Sequence, residues 1–152
     1  MVIYAARIRW RDLSAVLTLA AAFALCLLGG QAESPTVSAA LLARTEADQT
    51  AYLEQLGWEV SGPPSSEQVL LPEHFGSEYD AYLALQREGG FDLTAWAGET
   101  VTRYSYPIAN YPTGEDNVLA DLLVLDGEIV GGELRSARLD GFMTALVPRE
   151  EV

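Results

Sequence analysis

Apolar positions along the chain change their period twice. From Leu13 to Gly30 they are nearly continuous, mostly Ala, Leu, Val and Phe, with no charged residue in the run. As a helix, those residues would rise about 27 Å, close to the roughly 30 Å hydrocarbon thickness of a bilayer. After Thr45 the spacing becomes helical. Thr45 and Asp48 make a capping-box pattern with Asp in place of Glu, so a helix is expected to begin at Glu46. Tyr52, Leu53 and Leu56 share one face of it, and Gly57 stands at its C-terminal end. Trp58 to Val60 reads as a short extended piece, Ser61 to Ser66 as a loop, and Glu67 to Leu71 as a strand stopped by Pro72. Pro72 is expected to open a second helix in which Phe75, Tyr79, Tyr82 and Leu83 line one face before Gly89-Gly90 ends it. Phe91 to Gly98 is an irregular link anchored by Trp96.

The period then falls to two. Thr102, Tyr104, Tyr106 and Ile108 alternate with Val101, Arg103 and Ser105, which predicts a strand with one apolar face. Asn110 to Gly114 breaks the run. Val118 to Leu125 is apolar on both faces except at Asp121, the signature of a central strand. Asp126-Gly127 predicts a type I′ hairpin, because both central positions of that turn need positive φ. Glu128 to Leu134 is the return strand, and Gly131-Gly132 within it predicts a bulge or a close backbone approach. Leu139 to Val147 closes the chain as a short helix or strand. No repeat is evident. The fold class is α+β: two amphipathic helices on one face of an antiparallel β-meander of about four strands, behind an N-terminal transmembrane or signal helix. The domain division is residues 1–32 for that segment, 33–44 for a tether or short first element, and 45–148 for a single extracytoplasmic domain.

Charge assigns the first segment its orientation. Arg7, Arg9 and Arg11 precede the apolar run and no basic residue closely follows it, which keeps the N-terminus inside and sends the rest out. Two fates share this pattern. A signal anchor would stay in the membrane, giving a single-pass protein held by Leu13 to Gly30. A signal peptide would be cut after Ala32, where Gly30 and Ala32 supply the small residues at −3 and −1. The length of the run favours the anchor. Cys26 is no lipidation site, since Leu25 stands where a small residue is needed. From Gln31 onward there are six Arg, no Lys and 21 Asp plus Glu, a net charge of −15. Such a domain repels nucleic acid and anionic headgroups. With Cys26 as the only cysteine, the exported part has no internal disulfide.

Gly57-Trp58-Glu59-Val60, Leu71-Pro72-Glu73, Gly90-Phe91-Asp92-Leu93, Arg103-Tyr104-Ser105-Tyr106, Asn110-Tyr111-Pro112, Leu125-Asp126-Gly127 with Ile129-Val130-Gly131-Gly132, and Gly141-Phe142-Met143 occur in this order. Together they resemble an uncharacterised bacterial family classed as a domain of unknown function. That family occurs mainly in Gram-positive bacteria, behind an N-terminal membrane segment. The resemblance runs from about Thr45 to Leu146 and implies no activity, cofactor or catalytic residue. The chain departs from the pattern at Thr144, where a His often follows the Phe-Met pair.

The residues themselves offer little chemistry. His74 is the single histidine, no Gly-x-Ser-x-Gly elbow exists, and one His without an exported Cys cannot supply a zinc site. No catalytic residue, metal ligand or cofactor is assigned. The acids Asp116, Asp121, Asp126, Glu128, Glu133 and Asp140 lie on or beside the meander, where a weak calcium site or a glycosidase-like pair is conceivable. EF-hand spacing is absent. Trp96, Tyr104, Tyr106 and Tyr111, with Trp58, read either as core closure or as a groove for glycan or peptide. Beside them Asn110, Gly131 and Gly132 are the candidate acceptors of a partner strand. The expectation is a non-enzymatic binding or assembly domain of the bacterial cell envelope, its expected partners the membrane and another envelope protein. The alternatives are a carboxylate-dependent envelope hydrolase, decided by whether two acids cluster in a concave pocket, and a subunit of a larger membrane complex.

Overall fold

The computed structural model describes residues 42–138 and 140–152. The apolar run, its arginines, Cys26 and the cleavage position lie outside them. Among the described residues no helix is long and apolar enough to cross a membrane.

Helix α1 (Glu46–Gln55) starts where its cap dictates. The Thr45 hydroxyl accepts from the Asp48 N–H at 3.2 Å, and the Asp48 carboxylate accepts from the Thr45 N–H at 3.0 Å. Two N–H groups that the first turn cannot satisfy internally are thereby paired. Gly57, at φ +83°, reverses the chain after the helix. The folded unit reaches back to Leu42, which bridges to Glu128, and Ala43 is buried.

Among the described residues the sheet has five antiparallel strands in sequence order, one more than the four expected: β1 (Ser65–Leu70), β2 (Thr100–Ile108), β3 (Val118–Leu125), β4 (Glu128–Ser136) and β5 (Met143–Ala145). The fifth is a three-residue edge formed inside the closing segment. β3 sits at the centre, as its two-sided apolarity requires, with only Leu119 and Leu125 at its margins half-buried. Asp126 (φ +50°) and Gly127 (φ +81°) make the hairpin to β4 with both φ positive. Four residues into β4 the register slips: Val124 faces Ile129 but Leu123 faces Gly131, leaving Val130 as the extra residue of a bulge.

The second helix departs from expectation. α2 spans Asp80–Glu88, after a 3₁₀ turn at Ser77–Tyr79, and Pro72 does not open it. The Leu71 N–H donates to the Glu99 carbonyl (2.9 Å) and the Pro72 carbonyl accepts from Gly98 (3.1 Å), so the chain stays extended past the proline to close the end of β2. Phe75 lies before the helix. In the link after α2, Leu93 is fully buried and Trp96 only half-buried, so the anchor is Leu93 rather than Trp96.

The two helices lie on opposite faces of the sheet, not on one. Leu53 of α1 packs with Tyr106, Ile108, Val118, Ala120, Leu122 and Val124, the even-numbered side of β2 and β3. Leu83 of α2 and the buried Leu93 pack with Val101 and Leu123, the odd-numbered side. Alternation of side chains along a strand makes these opposite faces.

Candidate functional site

The odd-numbered face is only partly covered by α2, and its centre is polar. Asp121 of β3 and Glu133 of β4 are directly opposed across the strand pair and almost fully buried, at 0% and 2% exposure. Opposed positions place Cβ atoms about 4.5–5.5 Å apart, so two carboxyl groups share one buried site. The bulge produces this. In the turn's own register Asp121 would oppose Gly132; the one-residue slip brings Glu133 across from it and onto the same face.

The surroundings treat the two acids differently. Arg135 reaches over from β4 and its Nε donates to Asp121 Oδ2 at 2.6 Å. Arg103 of β2 stands 3.9 Å from the same oxygen and donates to Glu67 of β1. Among the described residues no arginine pairs with the Glu133 carboxylate. Tyr82 donates to its Oε2 at 3.0 Å and Gln86 Nε2 at 2.8 Å, both from α2. Burial raises the Glu133 pKa, and the nearby Asp121 charge raises it further, against the pull of the two hydrogen bonds and Arg103. Burial likewise raises the Tyr82 pKa, with the Glu133 charge adding to it. Gln86 is the organising residue: its Oε1 accepts from the Gly132 N–H at 2.9 Å, so one amide bridges backbone and carboxyl. Among the described residues Asp121 Oδ1 and Arg103 Nε are buried without a hydrogen-bond partner.

Two hollows flank Arg103. One, of about 270 Å³, is polar and lined by Ser65, Ser66, Glu67, Arg103, Ser105 and Arg135. The other, of about 240 Å³, is mostly apolar, with Val69, Leu70, Leu71, Phe75, Tyr79 and Leu123 around it and Glu133 at its polar end. Both are smaller than the roughly 300–1,000 Å³ of a drug-sized ligand site, so each suits one side chain or small group. Their shared border is the edge strand β1. A larger open hollow of about 600 Å³ lies by the Ala109–Val118 loop. Among the described residues no three His, Cys, Asp or Glu side chains converge to hold a metal ion.

The surface expected from the sequence is divided. Tyr106 is buried on the α1 face, and its hydroxyl donates to Gln49 at 2.7 Å; burial, with the Glu46 charge, pushes its pKa up to about 12. Tyr104 is half-buried on the same face. Tyr111 stacks between Trp58 (centroids 6.1 Å) and Phe142 (4.9 Å), while the Trp58 indole donates to the Val147 carbonyl at 3.0 Å. Asn110 is a clamp: its amide donates to the Gly57 carbonyl at 2.9 Å and accepts from the Glu59 N–H at 3.0 Å. Trp96 borders the opposite core. Gly131 and Gly132 are buried, and face opposite ways. A Cβ on Gly131 would lie 2.8 Å from Leu93 Cδ2, and one on Gly132 2.7 Å from Leu146 Cδ2. The close approach expected of the glycines is therefore real, but it serves the packing of the chain's own elements.

Arg103, Arg135, Tyr82, Gln86 and Glu67 carry no site signal in the sequence, because their spacing along the chain marks only strand and helix faces. Asp121 and Glu133 are legible in the sequence as two of the acids on or beside the meander, Asp121 standing alone in an apolar strand. Comparison with protein families gives a match over residues 52–134, more than half of the chain, to a domain of unknown function, DUF4830. No curated protein and no solved structure matches.

Proposed function

The chain belongs to the DUF4830 family of domains of unknown function, and from that premise we propose that it is a non-enzymatic binding or assembly domain of the bacterial cell envelope. The Arg7-Arg9-Arg11 flank and the uncharged Leu13–Gly30 run support tethering with the domain outside, or release after Ala32. The resemblance to a family of Gram-positive bacteria with N-terminal membrane segments points the same way.

The observation that carries the reading is strand β1. Among the described residues it is an edge of the sheet, and its six residues run in continuous register with β2 without Lys, Pro or bulge, Glu67 being its one charged residue. Natural edges usually carry such protections, because an open row of N–H and C=O groups recruits another strand. The bond from Leu71 to Glu99 fixes the phase of the ladder. Ser65, Glu67 and Val69 turn their backbone groups to β2, and Ser66, Gln68 and Leu70 turn theirs outward. Leu70 is 70% exposed. A domain with this edge beside two small hollows is suited to accept an extended partner segment.

Gln68→Pro tests it. Proline removes the outward N–H and no bond to β2, so the fold is expected to survive while in-cell crosslinking of the full chain to an envelope partner is lost. Undiminished crosslinking by a folded Gln68→Pro protein would sink the reading.

A second reading, the carboxylate-dependent hydrolase, is favoured by the Asp121–Glu133 pair, two acids with different environments. Their burial weighs against it, since a substrate must reach both. Glycan hydrolysis by the full chain that disappears in both Asp121→Asn and Glu133→Gln would replace the first reading by this one.

A further inference from the structure

Resting on the reading of β1 as an acceptor edge, we propose its occupant: an extended peptide segment with an aliphatic or aromatic residue flanked, at same-face positions, by Lys or Arg. A second copy of this chain is not the occupant we infer.

Geometry fixes the apolar position. A strand added outside β1 places every second side chain on the odd-numbered face, beside Ser65, Glu67 and Val69. Val69 and Leu70 belong both to the edge strand and to the wall of the apolar hollow. The partner residue opposite Val69 therefore runs past that hollow. Its volume of about 240 Å³ and its walls of Leu71, Phe75, Tyr79 and Leu123 suit one apolar side chain. Phe75 and Tyr79, packed edge-to-face with centroids 5.5 Å apart, are half-buried and give that side chain an aromatic wall.

Charge fixes the neighbours. Two positions along the partner, on the same face, lies the site opposite Glu67, whose side chain is 55% exposed and pairs through one carboxylate oxygen with Arg103. The stretch Ser61–Gln86, which contains the edge strand, part of the hollow's rim and most of α2, carries Glu67, Glu73, Glu78 and Asp80 and no Lys or Arg, against Arg103 in the rim and Arg135 in the adjoining polar hollow. Glu99, hydrogen-bonded to Leu71 through its backbone at the far end of β1, is a further exposed acid. A basic segment is drawn to such an edge and an acidic one is repelled. The same field opposes pairing of two copies through β1, because each brings a net −15 over residues 31–152.

The test uses the full chain in detergent and a seven-residue peptide, Thr-Lys-Thr-Leu-Thr-Lys-Thr, whose pattern is the same in both directions. Binding is read by fluorescence anisotropy and by amide shifts of Ser66, Gln68 and Leu70. The expected result is saturable binding that weakens about tenfold or more when both Lys become Glu, and again when Leu becomes Gly. Binding should weaken as salt is raised. It should be lost in Gln68→Pro and, with the unaltered protein, in a peptide N-methylated on alternate amides, which keeps the test decisive if the variant fails to fold. Equal binding of the Glu peptide would overturn the charge assignment. If partner crosslinking remained sensitive to Gln68→Pro, the edge reading itself would still stand. A dimer of the chain that Gln68→Pro dissociates would overturn the choice of occupant. No binding by any peptide, together with crosslinking indifferent to Gln68→Pro, would overturn both.

Discussion

Glu133 concentrates the physical tension of this domain in one side chain. A carboxyl group with 2% exposure, opposite a second buried acid, is costly to ionise, and its pKa is raised accordingly. The folded state thus holds this proton to a higher pH than the unfolded chain does. Stability from this site is fully present below the ordinary glutamate pKa and is lost as pH rises through the raised value. Thermal melts across that window should show a fall that Glu133→Gln flattens; an unchanged pH profile in the variant would mean that another group governs it. Gln86 makes the complementary prediction. Its amide serves both Glu133 and the Gly132 N–H, so Gln86→Leu leaves the buried Gly132 N–H unpaired and the Glu133 carboxyl with Tyr82 as its one donor. At roughly 1–3 kcal/mol for one orphaned group, the loss should be about 1–3 kcal/mol by urea unfolding. A loss under about 1 kcal/mol would show that the network is replaceable by packing.

At the scale of elements, local chemistry and tertiary packing each govern identifiable pieces. The Thr45–Asp48 box, the Asp126-Gly127 turn and the alternation of β2 lie within a few residues of chain, and each element forms where its pattern places it. Thr45→Ala should cost about 1 kcal/mol, read as a shift in denaturation midpoint. The start of α2 was not legible, because Pro72 is held extended by bonds to Gly98 and Glu99, residues more than twenty positions away. The bulge at Val130 was only hinted at by Gly131-Gly132. Its consequence, the pairing of Asp121 with Glu133, depends on which register packs α2 and Leu93 onto the sheet. Gly131→Val forces a side chain into contact with Leu93, Leu123 and Gln86 and should destabilise by about 1–3 kcal/mol, with loss of amide protection in β4. Wild-type stability in that variant would mean that α2 adjusts freely.

For the whole molecule, one sheet with helices on both sides gives two apolar layers that share β3. Neither layer is independent, since Leu122 and Leu123 are adjacent residues facing opposite ways. Leu53→Ala and Leu83→Ala, in different layers, are each expected to cost about 2–5 kcal/mol and to lower one common unfolding transition. Two separated transitions would show that the layers unfold independently. The proposed address belongs to this scale as well. Protease added to intact cells should remove the domain, and a protected domain would contradict the proposed orientation.

What the sequence determined by itself is whatever short-range chemistry dictates: the capped first helix, the type I′ hairpin, the two-sided apolarity of β3, and the acidic net charge of the domain. Each follows from residues a few positions apart or from a sum over the chain. What only the tertiary structure decided is which faces meet. The one-residue slip at Val130 turned two scattered acids into an opposed pair, and the glycines expected to receive a partner strand received the chain's own helix and loop. Among the described residues the edge lies at β1, expected from the sequence as a strand over Glu67 to Leu71, but with no sign there that it would stand at the end of the sheet. Strand order and side-chain face are set by long-range packing, which no local periodicity encodes.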